Sequence, residues 1–371
     1  MSARRPVADV GRPRQDDDMN IARVRSDRLR SHRLTSPAAT VVDAARHLTA
    51  TQGQEFWGGR WALAVRTKGE PTLGDVDAAF ESGSLVRSWT QRGTLHILPA
   101  SDLDWMLRVT SARQAKIYAP VHRGLGIETD HLAGAERVVR AALAGGNRLT
   151  RAEFADVLAN GGQETRGMRG NHILSALAIR GVIVLGPVVP RESGPTRDQY
   201  VVATDDWIPE SASPDDPLAE LLVRYLRGHG PAVLADFAWW AGLPKKLAAE
   251  AREGAGDRVR EVGEGLLGVD EPSPRRSPVA PVVALPPFEE YYLSYADRSV
   301  PCAPEFMRAI GPSMNGIVRP VIVRDGEIVG VWSHSIAVGK HHLAPVPELF
   351  TDVPSVEVDA ALARFSRFVT G

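Results

Sequence analysis

Between residues 35 and 270 the chain runs three times through one order, helix-forming segments followed by a pair of short apolar runs. In the first pass, Thr35-Ser36-Pro37 reads as a helix start, a hydroxyl cap ahead of proline in the first turn. Ala38, Val41, Val42, Ala45 and Leu48 recur at helical spacing and make one inward face. The period breaks at Gln52-Gly53-Gln54. A second helical segment covers 56–66, and a third starts near Leu73 with Val76, Ala79 and Phe80 inward, until Ser82-Gly83-Ser84 stops it. LVRSWTQ and TLHIL then read as two strands joined through Arg92-Gly93. Three helices and a short hairpin are the outline of a winged helix. A further helix is expected over 101–116, opening at Ser101.

The second pass places helices at 131–144, 150–159 and 168–180, then the apolar run VIVLGPVV and a return through DQYVVAT. The third has helices near 216–228, 231–241 and 244–253 and a weaker strand pair around VREVGEGLLGVD. Its centre, LADFAWWAGLPKKLAAEA, looks like a helix-turn-helix with Gly242-Leu243-Pro244 at the turn. Pro-rich 271–281 reads as a linker. Beyond it VVAL, GIVRPVIV and EIVGVWSHSIAV are strand-like, with Asp325-Gly326 as a hairpin turn and a helical tail from Ser355. The expected architecture is α+β: three tandem winged-helix units at 23–120, 121–210 and 211–270, then a β-rich domain at 282–371. Residues 1–22, polar and rich in Arg, Asp and Pro, are expected to be a disordered tail.

Composition excludes several classes. The single cysteine, Cys302, rules out an intramolecular disulfide and a Cys-based metal cage. There is no apolar run long enough for a membrane span and no N-terminal apolar segment for secretion, so the expectation is a cytoplasmic protein. A formal net charge of −1 is not that of a general nucleic-acid binder, although charge can still gather on one face. Residues 23–33 carry five arginines against one aspartate and read equally as a solvated face or as part of such a surface.

Few residue patterns carry chemistry. His341-His342 has no carboxylate at helical ligand spacing, so no metal site is expected. The Gly-Gly pairs lack a following Lys-Ser/Thr, no Gly-x-Gly-x-x-Gly follows a strand, and no nucleophile elbow is present. What remains is Gln52-Gly53-Gln54. Each carboxamide offers one acceptor and two donors in a plane, so two of them can hold a water from two sides. Glu55 is a rival, as a carboxylate general base. Arg87, Arg92 and His96 lie on or near the first hairpin, where their donors could meet phosphates.

HLTATQGQ with the downstream WALAVR, LVRSWTQRGTLHILPASDLDWML, GPAVLADFAWWAGLP, and LPPFEEYYLSYADRS followed by GIVRPVIVRDGEIVGVW resemble the AlkZ-like branch of the winged-helix DNA glycosylases over most of residues 26–340. The sister YcaQ-like branch is similar but carries Gln-x-Asp. The resemblance implies a monofunctional DNA glycosylase for N7- or N3-alkylated purines, some relatives acting on bulky antibiotic adducts or crosslinks. It implies Gln52 and Gln54 as the catalytic pair. Beside that pair, Arg66, Arg87, Arg92 and His96 are the expected DNA contacts, with no cofactor and double-stranded DNA as partner of a monomer. Such a cationic base is already a good leaving group, so a positioned water suffices at an oxocarbenium-like transition state. Two departures stand out: the middle residue is glycine rather than apolar, and Glu289-Glu290 replaces the more usual Asp-Glu. The competing reading is a non-catalytic winged-helix regulator, against which stand three unlike units and no evident dimerisation helix.

Overall fold

The computed structural model describes residues 15–191, 194–269, 282–336 and 339–371, a mixed helix-and-sheet protein. Helix α1 (Gln15–Ser31) leads into α2 (Val41–Leu48), the two-residue strand β1 (Thr51–Gln52), α3 (Phe56–Ala64) and α4 (Leu73–Glu81). The hairpin β2 (Leu85–Gln91) and β3 (Thr94–Pro99) follows, then the long α5 (Leu103–Gly124). Next come α6 (Thr129–Leu143), β4 (Arg148–Leu149), α7 (Arg151–Asn160), α8 (Arg169–Ile179), β5 (Ile183–Val188), β6 (Gln199–Ala203) and the short α9 (Thr204–Trp207). The third pass is α10 (Pro217–His229), α11 (Leu234–Ala241), α12 (Lys245–Ala255), β7 (Val259–Gly263) and β8 (Leu266–Val269). The last region holds β9 (Val283–Leu285), α13 (Glu290–Leu293), α14 (Pro304–Ile310), β10 (Val321–Arg324), β11 (Glu327–Ser333), β12 (Val346–Leu349) and α15 (Ser355–Thr370).

Local signals set most boundaries. Thr72 and Asp75 form a reciprocal capping box at α4, and Thr150 and Glu153 repeat it at α7. Gly242 ends α11 in the left-handed region, as the helix-turn-helix reading requires. The cap of α2 is Thr40, whose side chain accepts from the Asp43 amide, and not the Thr35-Ser36 pair. The reason is tertiary: Ala38 is held extended by a bridge to Thr67, so the helix cannot start before it. Helix α5 also runs eight residues past its expected end, to Gly124.

The first two hairpins do not stand apart. Arg87 of β2 pairs with Leu185 of β5, giving one six-stranded sheet in the order β1-β3-β2-β5-β6-β4. The hairpin β7-β8 is separate, and β9 to β12 form a four-stranded sheet. The final region, expected to be β-rich, carries α13, α14 and α15 as well, and of GIVRPVIV only the last three residues are strand, opening β10. Its helix α15 sets Phe365 and Phe368 against Trp57 and Trp61 of α3. One core accordingly holds residues from both 29–97 and 282–369, while a second joins the first hairpin to α10, α11 and α12. The segment around α3 and its hairpin is the hub. The expected linker 271–281 lies outside the described residues, as does the expected tail up to residue 14; α1 begins inside the tail's range. Among the described residues no helix is long and apolar enough to cross a membrane.

The basic segment 23–33 is not a solvated face. Arg28 is buried, donating to the Pro231 carbonyl at 3.0 Å, lying 3.8 Å from Asp236 and stacking 3.6 Å over Tyr295. His32 is fully buried against Tyr295, and Arg25 reaches Val300 and Glu327. Arg66 corrects a second expectation. It is fully buried, donates to the His32 and Ala62 carbonyls and pairs with Glu289, so its guanidinium faces the interior and cannot meet a phosphate.

This geometry makes Arg66 a test of the fold. Breaking a buried pair from one side strands the other charge, at a cost of about 3–5 kcal/mol. Arg66→Ala should therefore lower the unfolding free energy read from urea titration by that amount, and Arg66→Met with Glu289→Leu should recover most of it. Equal stability of wild type and Arg66→Ala in urea titration would place the arginine outside the core.

Candidate active site

Strand β1 brings Gln52 to the edge of the six-stranded sheet, where Thr51 pairs with Ile97 and Gln52 with His96. The chain then turns through Gly53 and Gln54 into α3. Gln52 is 7% exposed, whereas Gln54 faces solvent. Two glycines permit this turn. A Cβ on Gly59 would lie 3.0 Å from the Gly53 Cα and 2.7 Å from Ile97 Cδ1, so helix and loop touch backbone to backbone. A Cβ on Gly53 would meet Ile97 Cγ1 at 3.0 Å. The apolar group missing from the middle of the motif is thus supplied by the neighbouring strand.

The loop is held from both sides. Arg87, buried, donates through Nε to the Gly53 carbonyl at 2.7 Å and through its other nitrogens to the Gln54 carbonyl at 3.3 Å and Gln199 Oε1 at 3.1 Å. All three directions of its fork are taken within the protein, and burial, with Arg151 nearby, pushes it down to about 9. His96 is also buried; its Nδ1 lies 3.1 Å from the Thr94 carbonyl. Burial, then the Arg92 charge, pushes its ring down to about 3. Arg87 and His96, expected at phosphates, instead shape the loop from behind.

Arg92 occupies the hairpin tip. With Gly93 it has positive φ, 52° and 71°, the backbone of a two-residue primed turn. Its side chain packs under Gly242, the turn between α11 and α12, where a Cβ would meet Arg92 Cγ at 3.2 Å. From there its guanidinium donates to Gln52 Oε1 at 3.2 Å. Gln54 Oε1 accepts from the Leu95 amide at 3.4 Å. Each carboxamide oxygen is thereby oriented, with a second lone pair left over.

Behind Gln52 sits a buried carboxylate. Glu290 Oε1 accepts the Gln52 amide at 2.8 Å, and Oε2 accepts the Trp240 indole at 3.1 Å and the Ser294 hydroxyl at 2.6 Å, with His229 Nε2 3.7 Å away. Burial alone would raise this carboxyl, but the His229 ring and the Arg92 guanidinium overcome it and hold Glu290 far below the usual carboxylate range. The chain positions for this network come from three distant segments, so no spacing in the sequence announces it.

In front lies a cleft of about 370 Å³ lined by both glutamines, Arg92, Thr94, Trp239, Phe288, Leu293, Arg298 and part of the loop 312–318. Glu55 precedes α3, is exposed and is not part of this wall, so the rival carboxylate is not placed at the cleft. Trp239 and Arg298 were not anticipated from the sequence. The adjacent tryptophans were one signal, because a helix turns one of two neighbours outward: Trp240 is buried and Trp239 is 46% exposed. Among the described residues, no group of three His, Cys, Asp or Glu side chains is arranged to hold a metal ion.

The family described as DNA glycosylase AlkZ-like matches residues 45–368. An interstrand DNA cross-link repair glycosylase of Streptomyces sahachiroi is 27% identical over 329 residues, covering 80% of this chain and 82% of that protein. The solved structure of Streptomyces sahachiroi DNA glycosylase AlkZ aligns with a TM-score of 0.76 at 22% identity, covering 94% of this chain and 96% of that one. At that identity the structural likeness speaks for the fold.

Two outcomes follow from the geometry. Gly59→Ala forces the helix off the Gly53 loop; overpacking costs about 1–3 kcal/mol. The variant should lose both stability, read by urea unfolding, and the positioning of Gln52, read as a weaker response of any Gln52-dependent rate to Gln52→Ala; wild-type behaviour in both would refute the close packing. The second concerns pH. His96 titrates near 3 and His47 near 4 in the folded protein, both lowered first by burial. Unfolded histidines take a proton near 6.5, so between there and about 4 the unfolded chain binds more protons and stability must fall with pH, by up to about 1.4 kcal/mol per unit for each ring. Glu290, lowered when folded, adds its own loss only below the ordinary carboxylate range. Urea midpoints should decline from pH 6.5 to 5, and less so in His96→Gln; a flat profile would mean the rings protonate in place.

Proposed function

The chain belongs to the AlkZ-like DNA glycosylase family, and from that premise we propose that it hydrolyses the N-glycosidic bond of N7- or N3-alkylated purines in duplex DNA. The observation that carries this reading is the convergence of Gln52, Gln54 and Arg92 on one cleft. A water held between the two carboxamides attacks the anomeric carbon as the bond to the cationic base breaks. The base leaves with the bonding electron pair and becomes neutral; the water loses a proton to solvent and an abasic site remains. Arg92 orients Gln52 through its side-chain oxygen. Orientation of this kind replaces a strong base, because effective molarity can supply several kcal/mol when the leaving group needs no acid. No lysine is among the described residues lining the cleft, which supports water over an amine nucleophile.

The S. sahachiroi relative is named for interstrand cross-links. The same substrate class, a base alkylated by a bulky or bridging group, is the natural extension here, as the cleft is an open one between the first hairpin, α11 and the 312–318 loop. We read the three helix-and-hairpin passes as tandem winged helices, the first carrying the glutamines and the others shaping the duplex path. The protein works as a cytoplasmic monomer on this reading.

The test is release of N7-methylguanine from a duplex, followed by alkaline strand scission. Gln52→Ala and Gln54→Ala should each slow single-turnover release at least ~10-fold with duplex affinity nearly unchanged, since losing orientation raises the barrier without removing phosphate contacts. Wild-type rates in both would sink the assignment. Borohydride should trap no protein on DNA; a stable adduct would replace water with an amine.

A further inference from the structure

The cleft carries two guanidiniums, and only one of them faces a carboxylate. Arg92 faces Glu290 and donates to Gln52. Arg298 lies against two aromatic rings, 5.5 Å from the Trp239 centroid and 5.0 Å from that of Tyr292. Those rings are themselves fixed, the indole donating to the Leu293 carbonyl at 3.0 Å and the Tyr292 hydroxyl to the Gly311 carbonyl at 3.0 Å. Arg298 Nε is buried without a hydrogen-bond partner. Its neighbour Asp297 is engaged elsewhere, accepting the Ser299 amide at 2.9 Å. Among the described residues no carboxylate lines the cleft. Aromatic rings packed against a guanidinium pre-order it without neutralising it.

The proposed substrate sharpens the problem. An alkylated purine is cationic, and so is the sugar as its bond breaks, so a second bare cation in this cleft opposes both. The conflict disappears if an anion stands between them. Resting on the glycosylase reading, we infer that Arg298 is the phosphate anchor of the site: it grips the DNA backbone beside the damaged nucleotide, with Trp239 and Tyr292 setting its fork. The Arg66, Arg87 and His96 donors are consumed inside the protein. Arg298 takes the role that they were expected to share. Its phosphate places negative charge near the developing oxocarbenium ion, where the protein has none of its own in the cleft.

Affinity for undamaged duplex, measured across a salt series, tests this without requiring catalysis. Arg298→Gln should weaken binding on all sequences alike and lower the log–log salt slope by about one unit, as for the loss of one phosphate contact. Arg298→Lys should keep most of the slope, and Arg92→Lys should leave it unchanged. Thermal melts of the Arg298 variants confirm folding, and Lys keeps the charge if Gln perturbs the rings. An unchanged slope in Arg298→Gln overturns the anchor, as does a loss confined to particular base sequences, which would make Arg298 a base reader. Wild-type excision together with an unchanged slope removes the anchor alone. Normal duplex binding with the expected slope change but no excision of any alkylpurine removes the glycosylase reading and leaves the anchor standing.

Discussion

One buried carboxylate organises this protein. Glu290 sits in the interior on the C-terminal region yet accepts from the Gln52 amide of the first unit and the Trp240 indole of the third. A buried charge is tolerated only when hydrogen bonds and opposite charge surround it. That requirement ties three stretches of chain, separated by up to 238 positions, to within hydrogen-bond length of one another. Glu289, the residue before, does the same with Arg66 and the Tyr291 amide. The two acids make a rigid back wall, and the glutamine loop is fastened to it by its own backbone. The glutamine side chains are left to line the cleft.

What could be read from the sequence was what short-range physics decides. The hairpin tip at Arg92-Gly93, the helix starts near Leu73 and Thr150 and the turn at Gly242 are each fixed by neighbours within four residues. The Gln52-Gly53-Gln54 break was visible for the same reason. Buried charge was not. Nothing local distinguishes Arg28, whose partners lie more than two hundred residues away, from a solvated arginine. Arg66 and Arg87 misled in the same manner: an arginine at the end of a helix or in a hairpin suggests a surface, and only the tertiary fold supplies the carbonyls that absorb its donors. Four-residue α13 and strand β12 were missed because neither has an apolar period of its own.

The glycine in the motif shows how a departure can be absorbed. An apolar residue at position 53 would need the space that Ile97 fills, and Gly59 lets α3 approach until its backbone meets that of the loop. The loop is packed from outside by a β-branched side chain and clamped by Arg87. Rigidity has moved from the residue itself to its neighbours, so a smaller residue does not make a looser loop here.

The same logic explains why position 52 carries a carboxamide. Its side-chain oxygen receives the Arg92 guanidinium, which is nearly surrounded by protein under Gly242. A carboxylate there would form a close ion pair with Arg92, and its basicity would fall just where the proposed water would sit. It would also stand beside the ionised Glu290, adding a second negative charge to one pocket of low dielectric. The neutral amide avoids both effects. It spends one lone pair on Arg92 and keeps another, with two N–H donors, for a water or a sugar oxygen. Position 54 is under no such constraint: it faces solvent and meets only a backbone amide, so a charged residue is physically admissible there and not at 52. The electrostatics thus divide the pair into a buried member that has to be neutral and an exposed member on which this charge constraint does not fall.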